Sequence, residues 1–168
     1  MSEEKLASIQ SRVIFSKDKK YRYILERMWN TKKPKAAIIM INPSFADELR
    51  TDTTVCKLIN FLIDNNFGGL KIVNLFSFIS SNPPKKLDTQ EAIGKLNDQY
   101  VKEAINNADQ IIIAWGIEKN KYKNRKAELK EFVINTNKKI KGFIDKKGRV
   151  GRHPSRLNVF KLVDYIWE

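Results

Sequence analysis

Four short runs of mainly apolar residues are spaced along the chain, with little alternation between apolar and polar positions. They lie at residues 36–42 (AAIIMIN), 70–75 (LKIVNL), 109–115 (DQIIIAW) and, more weakly, 140–144 (IKGFI). Runs of this length without alternation are typical of strands that are buried on both faces, as in a parallel sheet. The pattern therefore predicts four buried strands that are mostly parallel.

Helical periodicity fills the segments between and after these runs. Apolar residues recur at intervals of three and four within residues 55–63, 93–105, 129–133 and 159–167, which predicts four helices. Thr51, Asp52 and Thr53 offer capping side chains ahead of the first one. The N-terminal stretch up to Trp29 fits either a hairpin or the start of a helix. The alternation predicts one α/β domain over residues 1–168, a three-layer α/β/α sandwich around a central, mostly parallel four-stranded sheet.

Composition excludes several kinds of site. One cysteine and one histidine in 168 residues exclude a disulfide framework, a cysteine-rich zinc site, an iron–sulfur cluster and a multi-histidine metal centre. We therefore expect neither metal nor cofactor. No apolar run approaches the roughly 18 residues of a membrane span, and the N-terminus lacks the core of a signal peptide. These features predict a cytoplasmic, soluble monomer without membrane contact.

The net charge of +13 is concentrated in one segment. Residues 119–156 contain 14 basic and three acidic residues, whereas the rest of the chain is nearly balanced. A local positive field attracts polyanions, and neutralising phosphates releases counterions. The segment predicts a nucleic-acid partner, although lysines on a solvated face would give the same composition.

Polar or aromatic side chains occur where the predicted strands end. These residues are Asn42 before a proline, Asn74, the pair Trp115 and Gly116, and the lone His153. Ligands of open α/β sheets bind beyond the carboxyl ends of the strands, so we expect these side chains to meet. An amide presents a donor beside an acceptor, which matches one edge of a nucleobase. Structural roles remain open for each: a loop cap for Asn42, a satisfied core amide for Asn74, and a packed or exposed histidine for His153.

These motifs resemble those of the uracil-DNA glycosylase superfamily. Asn42-Pro43 is similar to the first motif of the mismatch-specific branch, in which Asn replaces an Asp, and residues 153–157 (HPSRL) resemble the DNA-intercalation loop. The strand-end motifs follow one another in the superfamily's order, which makes the set more specific than any single member. Nearly the full chain also resembles a family of small uncharacterised bacterial and mobile-element proteins, which implies no function.

The superfamily resemblance implies a uracil-DNA glycosylase-like fold and a metal-independent DNA glycosylase. Such an enzyme hydrolyses the N-glycosidic bond of a uracil flipped out of single- or double-stranded DNA. Asn42 would position the attacking water, His153 would donate to the pyrimidine O2, and Asn74 would read the O4/N3 edge.

The same resemblance implies further contacts with DNA. Phe45 and Phe76 are candidates for the aromatic ring that stacks on the base. DNA-binding roles fall on the histidine loop and the residues before it, with the leucine as a wedge in the base stack: Arg149, Arg152, Ser155, Arg156 and Leu157. Besides DNA, a glycosylase-inhibitor protein is an implied partner.

Two departures from the superfamily pattern keep other functions open. Ser44 stands where the uracil-specific branch has a bulky Tyr that excludes thymine, and no obvious carboxylate accompanies the water site. A catalytically weak or inactive DNA-binding module of the same fold is therefore an alternative to the enzyme. A hydrolase of free nucleotides or nucleosides is a third interpretation, which the extended basic segment disfavours.

Overall fold

Seven strands form one mixed sheet in the computed structural model of the protein, which describes residues 2–80, 90–118 and 120–167. The basic segment predicted from the sequence begins at residue 119, which lies outside the described residues. In chain order the strands are β1 (Gln10–Phe15), β2 (Arg22–Met28), β3 (Lys35–Met40), β4 (Gly69–Asn74), β5 (Gln110–Ile113), β6 (Ile140–Phe143) and β7 (Leu162–Asp164). Their order across the sheet is β1-β2-β4-β3-β5-β6-β7.

Helices occupy three of the four segments in which the sequence predicts them. They are α1 (Thr53–Asp64), α2 (Gln90–Ile93), α3 (Asn97–Asn106) and α4 (Lys123–Ile134), with a short 3₁₀ helix at Pro154–Arg156. Gly94, at φ +82°, separates α2 from α3 within the predicted stripe of residues 93–105. No described helix is long and apolar enough to cross a membrane.

The predicted four-stranded, mostly parallel sheet in a three-layer sandwich is wrong, because the sheet has seven strands of mixed direction. The pairs β3–β4, β3–β5 and β5–β6 are parallel, whereas β1–β2, β2–β4 and β6–β7 are antiparallel. The ambiguous N-terminal stretch forms the β1–β2 hairpin. The hairpin was one of the two alternatives for this stretch, but neither its strands nor β7 belonged to the predicted four-stranded sheet.

The predicted C-terminal helix is also wrong, since residues 162–164 form β7. Side chains here alternate between the two faces of the sheet, as strand geometry requires. Phe160 and Leu162 pack against the hydrophobic cluster that contains α1, whereas Tyr165 and Trp167 pack against the cluster that contains α3 and α4. Apolar residues on both faces of this strand recur at intervals that also fit the apolar face of a helix, which explains the wrong prediction.

The core lies on both faces of the sheet. Consecutive residues of the central strands alternate between the two clusters, so that Ile38 and Ile112 face one side while Ile39 and Ile113 face the other, all fully buried. Burying such a side chain contributes about 1.5–3 kcal/mol. The parallel pairing brings the carboxyl ends of β3, β4, β5 and β6 to one edge of the sheet, where the loops that follow them meet.

Candidate functional site

A cleft of about 610 Å³ opens at this edge of the sheet. Its walls combine the loops after β3, β5 and β6 with the end of β4, the first turn of α1 and the first residue of β2. Seven of the residues proposed from the sequence line it: Asn42, Ser44, Asn74, Arg152, His153, Ser155 and Arg156. Four do not: Phe45, Phe76, Arg149 and Leu157.

The Asn42 side chain is anchored by its nitrogen. Nδ2 donates to the carbonyl of Ser80 at 2.8 Å and to that of Pro43 at 3.3 Å. The amide is thereby oriented with Oδ1 as its remaining acceptor. An amide oxygen fixed in this way can accept a hydrogen bond from a water molecule and orient it, but it cannot take the proton.

Asn74 ends β4 at the floor of the cleft. Its side chain is 1% exposed, and neither Nδ2 nor Oδ1 has a hydrogen-bond partner among the described residues. A buried polar group without a partner costs about 1–3 kcal/mol, so native structures rarely retain one without a reason. The core-amide explanation does not fit this residue, because no backbone group satisfies it.

Two buried side chains hold the backbone at this strand end. Nδ2 of Asn97 donates to the carbonyls of Asn74 at 3.0 Å and Leu75 at 3.1 Å, and Nε of Arg125 donates to Leu75 at 2.8 Å. Arg125 also pairs with Asp98. This network ties α3 and α4 to the strand that carries Asn74.

His153 is the N-cap of the 3₁₀ helix and offers a neutral donor. Its Nδ1 accepts from the backbone N–H of Ser155 at 3.2 Å and contacts Oγ of the same residue at 2.8 Å. Because a backbone N–H can only donate, the ring proton sits on Nε2. Burial, followed by the charge of Arg156, lowers the pKa of His153 to about 4, against a smaller opposite effect of Asp52. The ring is therefore an uncharged Nε2–H donor at neutral pH.

Asp52 contributes a carboxylate whose oxygens are both engaged. Oδ1 accepts from the backbone N–H of Val55 at 2.8 Å and caps α1, as the sequence predicts. Oδ2 accepts a hydrogen bond from the Ser44 hydroxyl. The carboxylate thus fixes the loop after β3 to the start of α1.

Arg22 places a cation at the base of the same cleft. It is 3% exposed, and its Nη1 donates to the carbonyls of Ala46 at 2.6 Å and Ser44 at 3.3 Å. Nε has no partner among the described residues. Burial lowers the pKa of Arg22 to about 10, partly offset by Asp52, so the guanidinium remains charged at neutral pH.

Trp115 supplies the aromatic surface of the cleft. It is 2% exposed and packs edge-on against Tyr165 at 6.1 Å and at a tilt against Trp167 at 5.4 Å, measured between ring centroids. The two phenylalanines proposed for stacking lie elsewhere. Phe45 is 68% exposed outside the cleft, and Phe76 is fully buried against Tyr122.

The basic segment divides into cations that stabilise the fold and cations at the cleft. Lys138 donates to three carbonyls at the C-terminal end of α3, and Arg149 pairs with Asp145 at 2.7 Å. Lys121, Arg152 and Arg156 line the cleft, where Lys121 also pairs with Glu118 at 3.4 Å and Arg152 with Asp145 at 3.7 Å. Only part of the charge concentration therefore faces the cleft.

Residues 22–155 match the model of the DUF1643 family, whose description is "protein of unknown function". The chain belongs to the DUF1643 family. No match was found among curated proteins or among solved structures. The DUF1643 match starts at Arg22 and ends at Ser155, so it contains every lining residue of the cleft except Arg156.

Leu157 lies just beyond the DUF1643 match and is buried. It is 4% exposed and belongs to the hydrophobic cluster formed with α1. Because the side chain is buried, it is not exposed as a wedge for a DNA base stack. Its place among buried residues instead indicates that it anchors the 3₁₀ helix and, through it, His153.

We expect Leu157→Ala to lower the free energy of unfolding by about 2–5 kcal/mol, because it leaves a cavity in a packed cluster. Urea unfolding followed by circular dichroism measures this change. Val159→Ala, at a position that is 69% exposed, is the matched control and should change stability by less than about 0.5 kcal/mol. A stability unchanged by Leu157→Ala would show that the loop does not depend on this contact.

Proposed function

We propose that this DUF1643 protein hydrolyses the N-glycosidic bond of uracil flipped out of DNA. The observation that supports this most directly is the buried, unpartnered amide of Asn74 at the floor of the cleft. The imide edge of uracil offers O4 as an acceptor and N3–H as a donor, and it would satisfy both atoms of the amide. A cleft of about 610 Å³ has the volume of a small-molecule site and can take a nucleotide.

The residues around the amide suit a dissociative hydrolysis. The bond between C1′ and the base nitrogen N1 breaks, and its electron pair remains on the base. Nε2–H of His153 donates to O2, where negative charge accumulates. Oδ1 of Asn42 orients a water whose oxygen bonds to C1′ and whose proton passes to solvent.

The charges at the cleft favour DNA over a free nucleoside. Lys121, Arg152 and Arg156 lie at the cleft, where they can contact the phosphates on either side of a flipped nucleotide. A nucleoside carries no phosphate and has no use for these three cations. Trp115 lines the cleft but is 2% exposed, so it offers an extruded base a small contact and not a stacking face.

A DNA-binding module without efficient chemistry is the second candidate, and one observation favours it. The carboxylate of Asp52 lines the cleft, but both of its oxygens already accept hydrogen bonds. It is therefore poorly placed to accept a proton from the attacking water. A module of this kind would bind a flipped uracil through Asn74 and release it intact.

The deciding experiment uses fluorescent oligonucleotides that carry one uracil, one cytosine or one thymine at the same position, single- or double-stranded. Alkali cleaves the abasic product to a shorter strand, and fluorescence anisotropy measures binding in parallel. A shorter product from the uracil strand supports the glycosylase, whereas binding without product supports the module. Release of base from free deoxyuridine, with no product from DNA, would indicate a nucleoside hydrolase.

Asn74→Asp should lower uracil excision by about 10- to 100-fold, since a carboxylate sets an acceptor against O4 and leaves it without a donor. Single-turnover excision on the uracil strand gives the rate. Asn65→Asp, at an exposed amide after α1, is the matched control and should leave the rate unchanged. Wild-type rates in Asn74→Asp would remove this residue from base recognition.

A further inference from the structure

Buried polar atoms without a hydrogen-bond partner are concentrated at the cleft. Six such side-chain atoms occur among the described residues, and four of them belong to three lining residues: Arg22, Asn74 and Arg152. Arg22 is the most unusual of the three, because it is a buried cation that forms no ion pair within the described part of the chain. Its guanidinium is held by backbone carbonyls alone. The charge of Asp52 is near enough to raise the pKa of Arg22, but both of its carboxylate oxygens accept other hydrogen bonds. Burying a charge without a direct ion pair is costly, so a negative partner is expected from the ligand.

The depth of Arg22 identifies which part of the ligand supplies that charge. Arg22 is 3% exposed and Asn74 is 1% exposed, whereas Lys121 and Arg156 are exposed at the rim. A DNA strand must leave the cleft on both sides of a flipped nucleotide, so its phosphates stay near the rim. The base is the part of a flipped nucleotide that reaches the floor.

Uracil is uncharged while it is attached to its sugar, but it leaves the sugar as an anion. Heterolysis of the C1′–N1 bond leaves the electron pair on N1, and the charge spreads onto the ring oxygens. His153 can donate a hydrogen bond to this anion but is itself uncharged. Among the lining side chains, Arg22 is the cation at the depth of the base.

We propose that Arg22 is the counter-ion of the departing base and that its Nε–H donates to a base oxygen as the glycosidic bond breaks. This inference rests on the proposed glycosylase function. It assigns the charge stabilisation to Arg22 and the neutral hydrogen bond to His153. The interaction strengthens as charge develops, so it lowers the barrier more than it tightens ground-state binding.

The test varies the acidity of the leaving base. Single-turnover excision is measured for uracil and for 5-fluorouracil in the same oligonucleotide, since fluorine withdraws electrons and makes the base a better leaving group. The variants are Arg22→Gln, which removes the charge, and Arg22→Lys, which retains it. Arg27→Gln is the matched control, because Arg27 lies on the same strand, is equally buried at 3% and bonds the loop carbonyl of Asp47, yet does not line the cleft.

We expect Arg22→Gln to slow uracil excision by roughly 100-fold or more. The loss of rate for 5-fluorouracil should be at least about tenfold smaller than the loss for uracil. Arg22→Lys should retain most of the rate, and Arg27→Gln should affect both bases equally. Equal losses on the two bases in Arg22→Gln, with active wild type, would overturn the counter-ion role and leave the glycosylase intact. A wild type that binds both strands and releases neither base would overturn the glycosylase and this inference with it.

A binding measurement keeps the inference testable if Arg22→Gln fails to fold. The wild type and Arg22→Lys should bind free 5-fluorouracil more tightly as the pH rises through the pKa of the base, because the anion replaces the neutral form. Isothermal titration at each pH measures this affinity. An affinity that falls as the base ionises would show that the cleft rejects the anion, and Arg22 would lose its assigned role.

Discussion

Replacing Asn42 by alanine should slow uracil excision by about 100- to 1000-fold while leaving the affinity for uracil-containing DNA nearly unchanged. In the proposed mechanism the amide oxygen orients the attacking water, so its loss weakens the transition state far more than the ground state. Single-turnover excision gives the rate, and fluorescence anisotropy gives the affinity. Asn60→Ala, at an exposed position of α1, is the matched control and should change neither.

Asn42→Asp separates orientation of the water from proton transfer. A carboxylate could take the proton, but the present amide nitrogen donates to the carbonyls of Ser80 and Pro43. An aspartate would face these two oxygens with a negative charge and lose its anchor. We therefore expect no gain over wild type. A rate that survives Asn42→Ala would remove this residue from the mechanism.

The central part of the fold could be predicted because its burial is visible in the sequence. A run such as residues 109–115 is apolar at five of its seven positions, and β5 with its neighbours is indeed buried on both faces. The edges could not be predicted in the same way. Strand β7 and the β1–β2 hairpin carry polar and apolar residues in mixtures that also fit a helix, and only their partners in the sheet decide between the two.

The predicted site residues that lie directly after parallel strands do line one cleft, because the sheet alone is sufficient to place them. Asn42, Asn74 and His153 each follow a parallel strand, so their meeting depends only on the sheet. Arg22 was missed because it enters from an antiparallel strand that the sequence left ambiguous. It is also one of 32 basic residues, and the resemblance of its Arg-Tyr pair to a small uncharacterised family implied no role for it.

Roles assigned to aromatic and apolar residues depended most on the resemblance and least on pattern. Phe76 follows the second apolar run and Leu157 follows a Pro-Ser turn, and either position suits a surface role as well as a core role. Only tertiary packing distinguishes a surface role from a core role at these positions, and both side chains are buried in the core. Trp115 was placed at a strand end without a stacking role, although it is the aromatic that lines the cleft.

His153→Ala should slow excision by roughly 100-fold on single- and double-stranded substrates alike, because the lost donor acts on the base and not on the duplex. Alanine also removes the N-cap of the 3₁₀ helix, so His153→Asn is the matched variant: its Oδ1 can still accept from the N–H of Ser155 while Nε2–H is gone. Both variants should excise uracil roughly 100-fold more slowly than the wild type. Full activity in His153→Asn would show that the histidine only caps the helix and would count against the glycosylase itself.

The pH profile tests the protonation state of the same residue. The folded-state pKa of His153, lowered to about 4 chiefly by burial, lies below the ordinary value of 6.5, so the neutral ring persists as the pH falls through 6.5. Excision should therefore show no inflection near 6.5 and should decline only as the pH approaches about 4, where protonation of Nδ1 removes the acceptor for Ser155. Arg156→Gln removes a positive charge that lowers this pKa, and the acidic inflection should move to higher pH. A wild-type profile with its midpoint near 6.5 would mean that the ring is solvated, and the neutral-donor role of His153 would be wrong.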